Sequence, residues 1–157
     1  MTGAKSCATL ISSQPFHTDS PSYSLEDTQT YRVIIMALHY LTFSRSDISF
    51  ALSKLSQFLQ APSLAHLIGA KRVLKYLKGT LNNGLPFQPT TSNPFDIKAF
   101  SDSDWASDQA DRRSTTIFVI FLGQNPISWV AKKQTTVSRS STQARYRALA
   151  ITAVEVF

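Results

Sequence analysis

The sequence has a single cysteine, Cys7, so no internal disulfide can form and nothing asks for an oxidising compartment. An intracellular setting, cytoplasmic or nuclear, is the expectation. Long apolar runs are absent too. The richest stretch, 33–43, follows Arg32 and is broken by His39 and Thr42. That is well short of the roughly 20 residues that span a bilayer, so no membrane partner is expected. The N-terminus, Met1-Thr2-Gly3-Ala4-Lys5-Ser6, has no compact apolar core behind it and does not resemble a signal peptide. His17, His39 and His66 have no ligand spacing and no cysteine cluster beside them, which excludes a zinc site of the usual kind. Acid is also scarce where base is not. The segment 132–147 carries Lys132, Lys133, Arg139, Arg145 and Arg147 with no carboxylate. No internal repeat is present.

The chain is long enough, at 157 residues with 43% hydrophobic side chains, for one domain or for one small domain and part of another. Its net charge of +6 is uneven. Basic and acidic residues cancel up to Gln60, and from Ala61 onward there are twelve basic and six acidic residues. Five of those six acids fall between Asp96 and Asp111. Cations for a phosphate backbone beside carboxylates for a metal are what a nucleic-acid-processing site needs. On charge alone, a solvated basic face is the commoner explanation.

Residues 1–26 are rich in Ser, Thr and Pro without a period, which predicts a loop or linker. A helical segment follows over 27–80. Its first helix, 28–43, is apolar around much of its girth (Val33, Ile34, Met36, Ala37, Leu38, Tyr40, Leu41) and should be buried, with Asp27 or Thr28 as its cap. Ile48, Ala51, Leu52, Leu55, Phe58 and Leu59 line one face of a second helix. The third, from Pro62-Ser63 to Lys78, has Leu64, Leu67, Ile68, Leu74 and Leu77 on its apolar side, with Gly79 as a left-handed terminator. A linker, 81–95, contains the turn Asn82-Asn83-Gly84, a short strand at 85–87, and Pro86, Pro89 and Pro94. The rest, 96–157, predicts a strand through Ile97, Ala99 and Phe100, a strand at Thr115–Leu122, a hairpin at Gly123-Gln124-Asn125-Pro126, a strand at 127–131, and a helix from about Thr142. The fold class is α+β: a helical segment, then three antiparallel strands leading into a helix, read as part of a mixed sheet with a covering helix.

Asp102 and Asp104 are two apart in a strand, so both carboxylates can share one face. Two-metal phosphodiester hydrolysis needs several carboxylates converging on cations about 3.5–4 Å apart. A pair at a strand end is on its own as easily a solvated turn. Lys71, Lys75 and Lys78 share a helix face with Arg72 beside them, and with Arg112, Arg113, Lys132 and Lys133 they are candidates for phosphate contacts that give affinity without sequence choice. Asp108 and Asp111 fall in an expected solvated loop. Tyr76, Trp105 and Trp129 are expected to pack.

A succession of motifs gives these pieces a common origin. It comprises Gly3-Ala4-Lys5, Tyr31-Arg32, Ala37-Leu38-His39-Tyr40-Leu41-Thr42, Arg45-Ser46-Asp47-Ile48-Ser49-Phe50-Ala51, Leu55-Ser56-Gln57-Phe58, His66 and Ala70-Lys71-Arg72-Val73-Leu74-Lys75-Tyr76-Leu77-Lys78-Gly79-Thr80. It continues with Ser101-Asp102-Ser103-Asp104-Trp105-Ala106, Asp111-Arg112-Arg113-Ser114-Thr115-Thr116, Phe121-Leu122-Gly123, Ile127-Ser128-Trp129, Lys132-Lys133-Gln134 and Val137-Ser138-Arg139-Ser140-Ser141-Thr142. In this order they resemble the reverse-transcriptase tail and ribonuclease H region of a copia-type long-terminal-repeat retrotransposon polyprotein, from about Gly3 to Phe157.

The resemblance implies that residues 1–80 follow the polymerase catalytic loop, whose metal-binding aspartates would lie upstream of Met1, so that this chain does not polymerise. It implies an incomplete ribonuclease H-like fold for 96–157. The family's activity there is Mg²⁺- or Mn²⁺-dependent cleavage of RNA in an RNA–DNA hybrid. The family's first carboxylate maps to Asp102. The second belongs to a Glu-x-Glu-Tyr pattern that here stands as Gln143-Ala144-Arg145-Tyr146, which puts Arg145 in its place. The later carboxylates would lie beyond Phe157. A guanidinium cannot ligate a cation, so Asp102 with Asp104 would form an incomplete metal site, and Arg145 could pair with Asp102 instead. The expectation is a catalytically inactive polyprotein fragment, its partners an RNA–DNA hybrid or other nucleic acid held weakly and the remainder of the polyprotein. A non-catalytic basic nucleic-acid-binding module and an inert relic are the alternatives. Met36 and Ile117 stand where the family has glycine or small residues, Ser46 where it has proline and Leu67 where it has tryptophan. Ile117 would be strained if that position needed a positive φ.

Overall fold

The structure, a computed structural model, describes residues 3–11, 25–89 and 95–157; the remaining parts of the expected linkers, His17 and Pro94 among them, lie outside the described residues. Two compact units result, Met1–Gly84 and Leu85–Phe157. No described helix is long and apolar enough to cross a membrane.

The first unit has three helices, α1 (Leu25–Leu41), α2 (Ser49–Ser56) and α3 (Leu64–Gly79), with a 3₁₀ turn at Ser46–Ile48 before α2. Tyr31, Ile35 and Leu38, spaced by four and three, put one stripe of α1 into a core of Ile48, Leu52, Leu55, Leu67, Ala70 and Val73. The Tyr31 hydroxyl stays inside that core by donating to the Leu55 carbonyl at 2.7 Å. The expected burial of α1 around its girth is not found: Val33, Met36 and Tyr40 are exposed. The two partner helices α2 and α3 cover one side of this 17-residue helix and no more. Leu64 and Ile68, expected on the apolar side of α3, are exposed for the same reason, and the smaller Ala70 and Val73 make the close contact instead.

Ser63 begins α3 with a capping box in which His66 stands at the position usually held by Glu or Gln; the Ser63 amide donates to His66 Nδ1 at 2.8 Å. His66 also stacks on Phe58 with centroids 3.8 Å apart. Gly79 does not take the left-handed conformation expected of it, since Gly123 is the glycine with positive φ among the described residues. Its small size serves a close approach: a Cβ there would lie 2.9 Å from Ser6 Cβ. The N-terminal segment runs along α3 at this point, with the Cys7 amide donating to the Lys75 carbonyl at 3.3 Å.

The second unit is a three-stranded sheet, β1 (Ile97–Asp104), β2 (Thr115–Leu122) and β3 (Asn125–Lys133), in the order β1-β2-β3, followed by α4 (Ser141–Val156). Both pairings are antiparallel, as expected for these three strands, and no parallel pair that would make the sheet mixed is present among the described residues. Neither connection between these strands is the crossover that a parallel pair requires. Gly123, at φ 60°, opens the two-residue β2–β3 hairpin. Pro126 is accommodated because β3 is an edge strand with a register irregularity opposite Ile120 and Phe121. The short strand expected at 85–87 does not form. Gln88 is tied instead to the hairpin by two 2.8 Å bonds with the Asn125 side chain. Ile117 lies in regular β2, and among the described residues the non-glycine ones with positive φ are Ala106 and Arg112, so no strain arises at Ile117.

Ala144, Ala148 and Thr152, four residues apart, form the buried stripe of α4, which packs on β1 and β2. Thr116, Phe118 and Ile120 alternate along β2 as its buried face. The Ser140 hydroxyl caps α4 by accepting from the Gln143 amide at 3.2 Å. A buried amide joins strand to helix: Gln134 Nε2 donates to Thr116 Oγ1 (3.1 Å) and to the Ala144 carbonyl (3.0 Å), while its Oε1 accepts from Ser138 Oγ (3.1 Å). Gln134→Leu leaves several polar partners without a replacement and is expected to lower the unfolding free energy by about 2 kcal/mol. Urea denaturation checks this; an unchanged midpoint would show that the amide holds nothing together.

Candidate functional site

Asp102 sits near the end of β1, an edge strand bonded to β2 on one side only. Thr142, Arg145, Tyr146 and Leu149 recur at the spacing of one helix face. Together with Ser101 and Asp102 they line an open cleft of about 420 Å³. The fold thus brings Asp102 and Arg145, 43 positions apart in the sequence, to one cavity. Asp104 is exposed and does not line it. The salt bridge open to Arg145 is not formed: the ion pairs among the described residues join Arg45–Asp47, Lys98–Asp96, Arg113–Asp111 and Lys133 with Asp108 and Asp111. The Asp102 carboxylate accepts a hydrogen bond from the Ser103 amide at 2.7 Å instead.

Whether the cleft suits a divalent cation can be judged from its donors. One carboxylate, already accepting an amide, shares the cleft with a side chain that carries a fixed positive charge and offers no lone pair. Among the described residues, no group of three or more His, Cys, Asp or Glu side chains could hold a metal ion. These donors do not fit a two-metal centre.

The basic candidates separate by what they touch. Lys133 is not free for phosphate. Its ammonium donates to Asp108 Oδ2 at 2.7 Å and lies 2.8 Å from Asp111 Oδ2. Asp108 is buried, contrary to the solvated role expected of it, and its other oxygen accepts from the amides of Ala110 and Asp111 at 3.0 and 3.3 Å. Burial raises the Asp108 pKa, but the Lys133 hydrogen bond and the two amides outweigh it and leave the group below its usual value. Asp111 is likewise lowered, chiefly by Lys133, and also pairs with Arg113 at 3.4 Å, so Arg113 is engaged as well. Arg112 is exposed at φ 56°, its amide bonded to the Asp108 carbonyl at 2.9 Å. Lys132 is exposed on the rim of a second cavity of about 510 Å³ that Phe118, Val130 and Ile151 line on the β2–β3 side.

On α3, Arg72 and Lys78 are drawn onto the N-terminal segment. Arg72 Nε donates to the Thr9 carbonyl at 3.0 Å and Lys78 Nζ to the Ala4 carbonyl at 2.9 Å. Lys71 and Lys75 remain exposed beside them. Trp105 is exposed rather than packed, though its indole donates to the Ser138 carbonyl at 3.0 Å.

Sequence reasoning missed two residues that hold α4 and the segment leading into it in place. Gln134 closes the Lys132-Lys133-Gln134 motif, which gives no sign of its buried bonds. Arg147, counted with the basic segment, donates to the carbonyls of Thr136 and Val137 and so clamps the β3–α4 connection onto α4. A single amide buried at the end of a basic run, and an arginine about two turns after a helix cap, are weak signals without coordinates.

Three curated proteins frame these observations. The chain is 42% identical over 156 residues to the retrovirus-related Pol polyprotein from transposon RE1 of Arabidopsis thaliana, covering 99% of this chain and 10% of that protein. It is 50% identical over 130 residues to an uncharacterized mitochondrial protein of Arabidopsis thaliana, covering 83% and 53%. It is 40% identical over 120 residues to the secreted RxLR effector protein 161 of Plasmopara viticola, covering 76% and 83%. The chain therefore spans a tenth of the polyprotein and about half of the mitochondrial relative. No protein-family model and no solved structure matches the chain.

Proposed function

The chain belongs to the retrovirus-related Pol polyprotein family of copia-type retrotransposons, and from that premise we propose that it joins the tail of a reverse transcriptase to a ribonuclease H-like unit whose hydrolytic site is silent. In this reading the sheet and α4 are the opening part of the ribonuclease H-like fold, and Asp102 and Arg145 hold the positions of its first two metal-binding carboxylates. The observation that carries the reading is their shared cleft. A guanidinium across from Asp102 repels the cation that phosphodiester hydrolysis requires. The chain's own groups can still contact a phosphate backbone without cutting it.

The test is incubation of the purified chain with a labelled RNA–DNA hybrid in Mg²⁺ or Mn²⁺. Intact RNA is the expected result. Cleavage that disappears in Asp102→Asn would overturn the silent-site reading.

A non-catalytic nucleic-acid-binding role is supported by one further observation: Lys71 and Lys75 lie one helical turn apart on α3, both exposed. Neutralising both as Lys71→Ala and Lys75→Ala is expected to weaken duplex binding and to flatten its salt dependence by up to about 0.9 logarithmic units per lost phosphate contact. Fluorescence anisotropy across a salt series measures both quantities. Binding that ignores salt and both lysines would remove the role.

A further inference from the structure

Residues 4–9 lie on α3 without neutralising it. Neither this segment nor α3 carries a carboxylate, and Lys5 adds a cation to those of Lys71, Arg72, Lys75 and Lys78. What the segment offers is neutral oxygen. Arg72 donates through Nε to the Thr9 carbonyl at 3.0 Å and through Nη2 to the Thr9 hydroxyl. A guanidinium fork thus meets two oxygens of one residue, the arrangement in which it grips a phosphate, with the negative charge left out. Lys78 Nζ donates to the Ala4 carbonyl at 2.9 Å, and the Cys7 amide donates to the Lys75 carbonyl at 3.3 Å.

The hold on α3 is uneven along the segment. Leu10 and Ile11 pack against the hydrophobic core of the helices. Residues 4–9 contain no large apolar side chain, and Lys5, Ser6, Ala8 and Thr9 are exposed. A stretch held by exposed polar bonds opens at low cost while the core beneath it stays folded. Gly79 is what lets it lie close: a Cβ there would stand 2.9 Å from Ser6 Cβ and 3.6 Å from Ser6 Oγ. Gly79 has no positive φ, so alanine suits the helix itself and offends only the segment on top of it.

We propose that residues 4–9 are a displaceable strap, which occupies Arg72 and Lys78 until the phosphates of a nucleic acid lift it and take both cations. The device rests on the nucleic-acid-binding role of Lys71 and Lys75. Those two lysines meet the duplex with the strap in place. When it lifts, Arg72 and Lys78 exchange neutral oxygens for charged ones, and the charge-assisted bonds outweigh the exposed ones given up. From Lys71 to Lys78 the cations span about 10 Å of helix, so a run of backbone phosphates engages them together, which a single anion cannot do.

The test uses the full chain, an RNA–DNA hybrid, and hydrogen exchange at the Cys7 amide. Saturating hybrid should remove Cys7 protection in the wild type. Gly79→Ala should remove it without hybrid, raise affinity about tenfold at low salt, and steepen the salt dependence by up to about 1.8 logarithmic units, for two added phosphate contacts. Arg72→Ala with Lys78→Ala in that background should cancel the gain. Ser6→Gly in the same background removes the clashing Cβ, and should return both Cys7 protection and affinity to the wild-type values. Cys7 protection that survives saturating hybrid overturns the strap, as does a Gly79→Ala chain that loses protection without gaining affinity; in both cases binding through Lys71 and Lys75 still stands. A wild type that binds no hybrid at all overturns that role, and the strap with it.

Discussion

Lys133→Met is expected to destabilise the C-terminal unit by about 3 kcal/mol while leaving nucleic-acid affinity nearly unchanged. Methionine keeps most of the lysine stem, so the loss reports the charge and not the packing. What remains is Asp108, buried, with two amide bonds and no counter-ion. Removing one partner of such a pair leaves a charge in a place that cannot solvate it, which costs more than the intact pair contributes. The pH dependence gives a second signature. Asp108 is held below its usual value of 3.8, so its stabilisation is present above about pH 4 and is lost as pH falls through its folded value. Lys133 is raised above 10.5 despite burial, by its hydrogen bonds to Asp108 and Asp111. Its stabilisation is therefore complete below about pH 10 and is lost as pH rises through the raised value. In Lys133→Met, protonating Asp108 relieves the uncompensated charge, so the gap between variant and wild type should narrow on acidification. Thermal melts from pH 3 to 8, with duplex binding measured beside them, separate the outcomes. A variant as stable as wild type but weakened in binding would return Lys133 to the phosphate-contact role that its sequence position suggests. Lys132→Ala is the control, since that side chain is exposed and next in sequence.

The same contrast shows what the sequence could and could not convey. The strand Thr115–Leu122 was legible to the residue because Ile, Phe and Val run between clear turn residues. The hairpin at Gly123 was legible from its turn residues, and the last helix begins at Ser141, one residue from where it was expected. Pairing Asp102 with Arg145 in one cleft needed a family pattern, because a separation of 43 positions hides it from any local period. The lysines show the limit. Lys132 and Lys133 are the same residue type side by side, yet strand alternation sends one to solvent and the other to two carboxylates. Composition counts both as basic surface. Gly79 failed for a related reason: its role depends on Ser6, 73 positions away, and not on its own helix end. Exposure of Val33, Met36 and Tyr40 was hidden because periodicity gives an apolar face, while the number of neighbours able to cover it is a tertiary property.

Arg145→Glu is expected to raise the affinity of the Asp102 cleft for Mn²⁺ by roughly tenfold to hundredfold. The substitution changes the cleft's charge by two units and supplies a second oxygen donor. For a divalent ion about 5 Å from each altered charge in water, Coulomb's law gives about 1.7 kcal/mol per unit, and physiological salt screens part of this. The helix should tolerate the change, because residue 145 is exposed and lies near the N-terminus of α4, where negative charge is favoured. Arg145→Gln separates the two contributions: it removes the repulsion without adding a carboxylate and should fall between wild type and Arg145→Glu. Water-proton relaxation or electron paramagnetic resonance titration with Mn²⁺ alone reads the affinity, with Asp102→Asn in the Arg145→Glu background abolishing the gain. Cleavage need not return, since two carboxylates can attract an ion without aligning a hydrolytic pair of metals. If wild type and Arg145→Glu bind Mn²⁺ equally, the guanidinium does not control the cleft, and the electrostatic basis for a silent site is lost. If affinity rises but Asp102→Asn leaves it untouched, the ion binds elsewhere, and the shared cleft ceases to be the reason for silence.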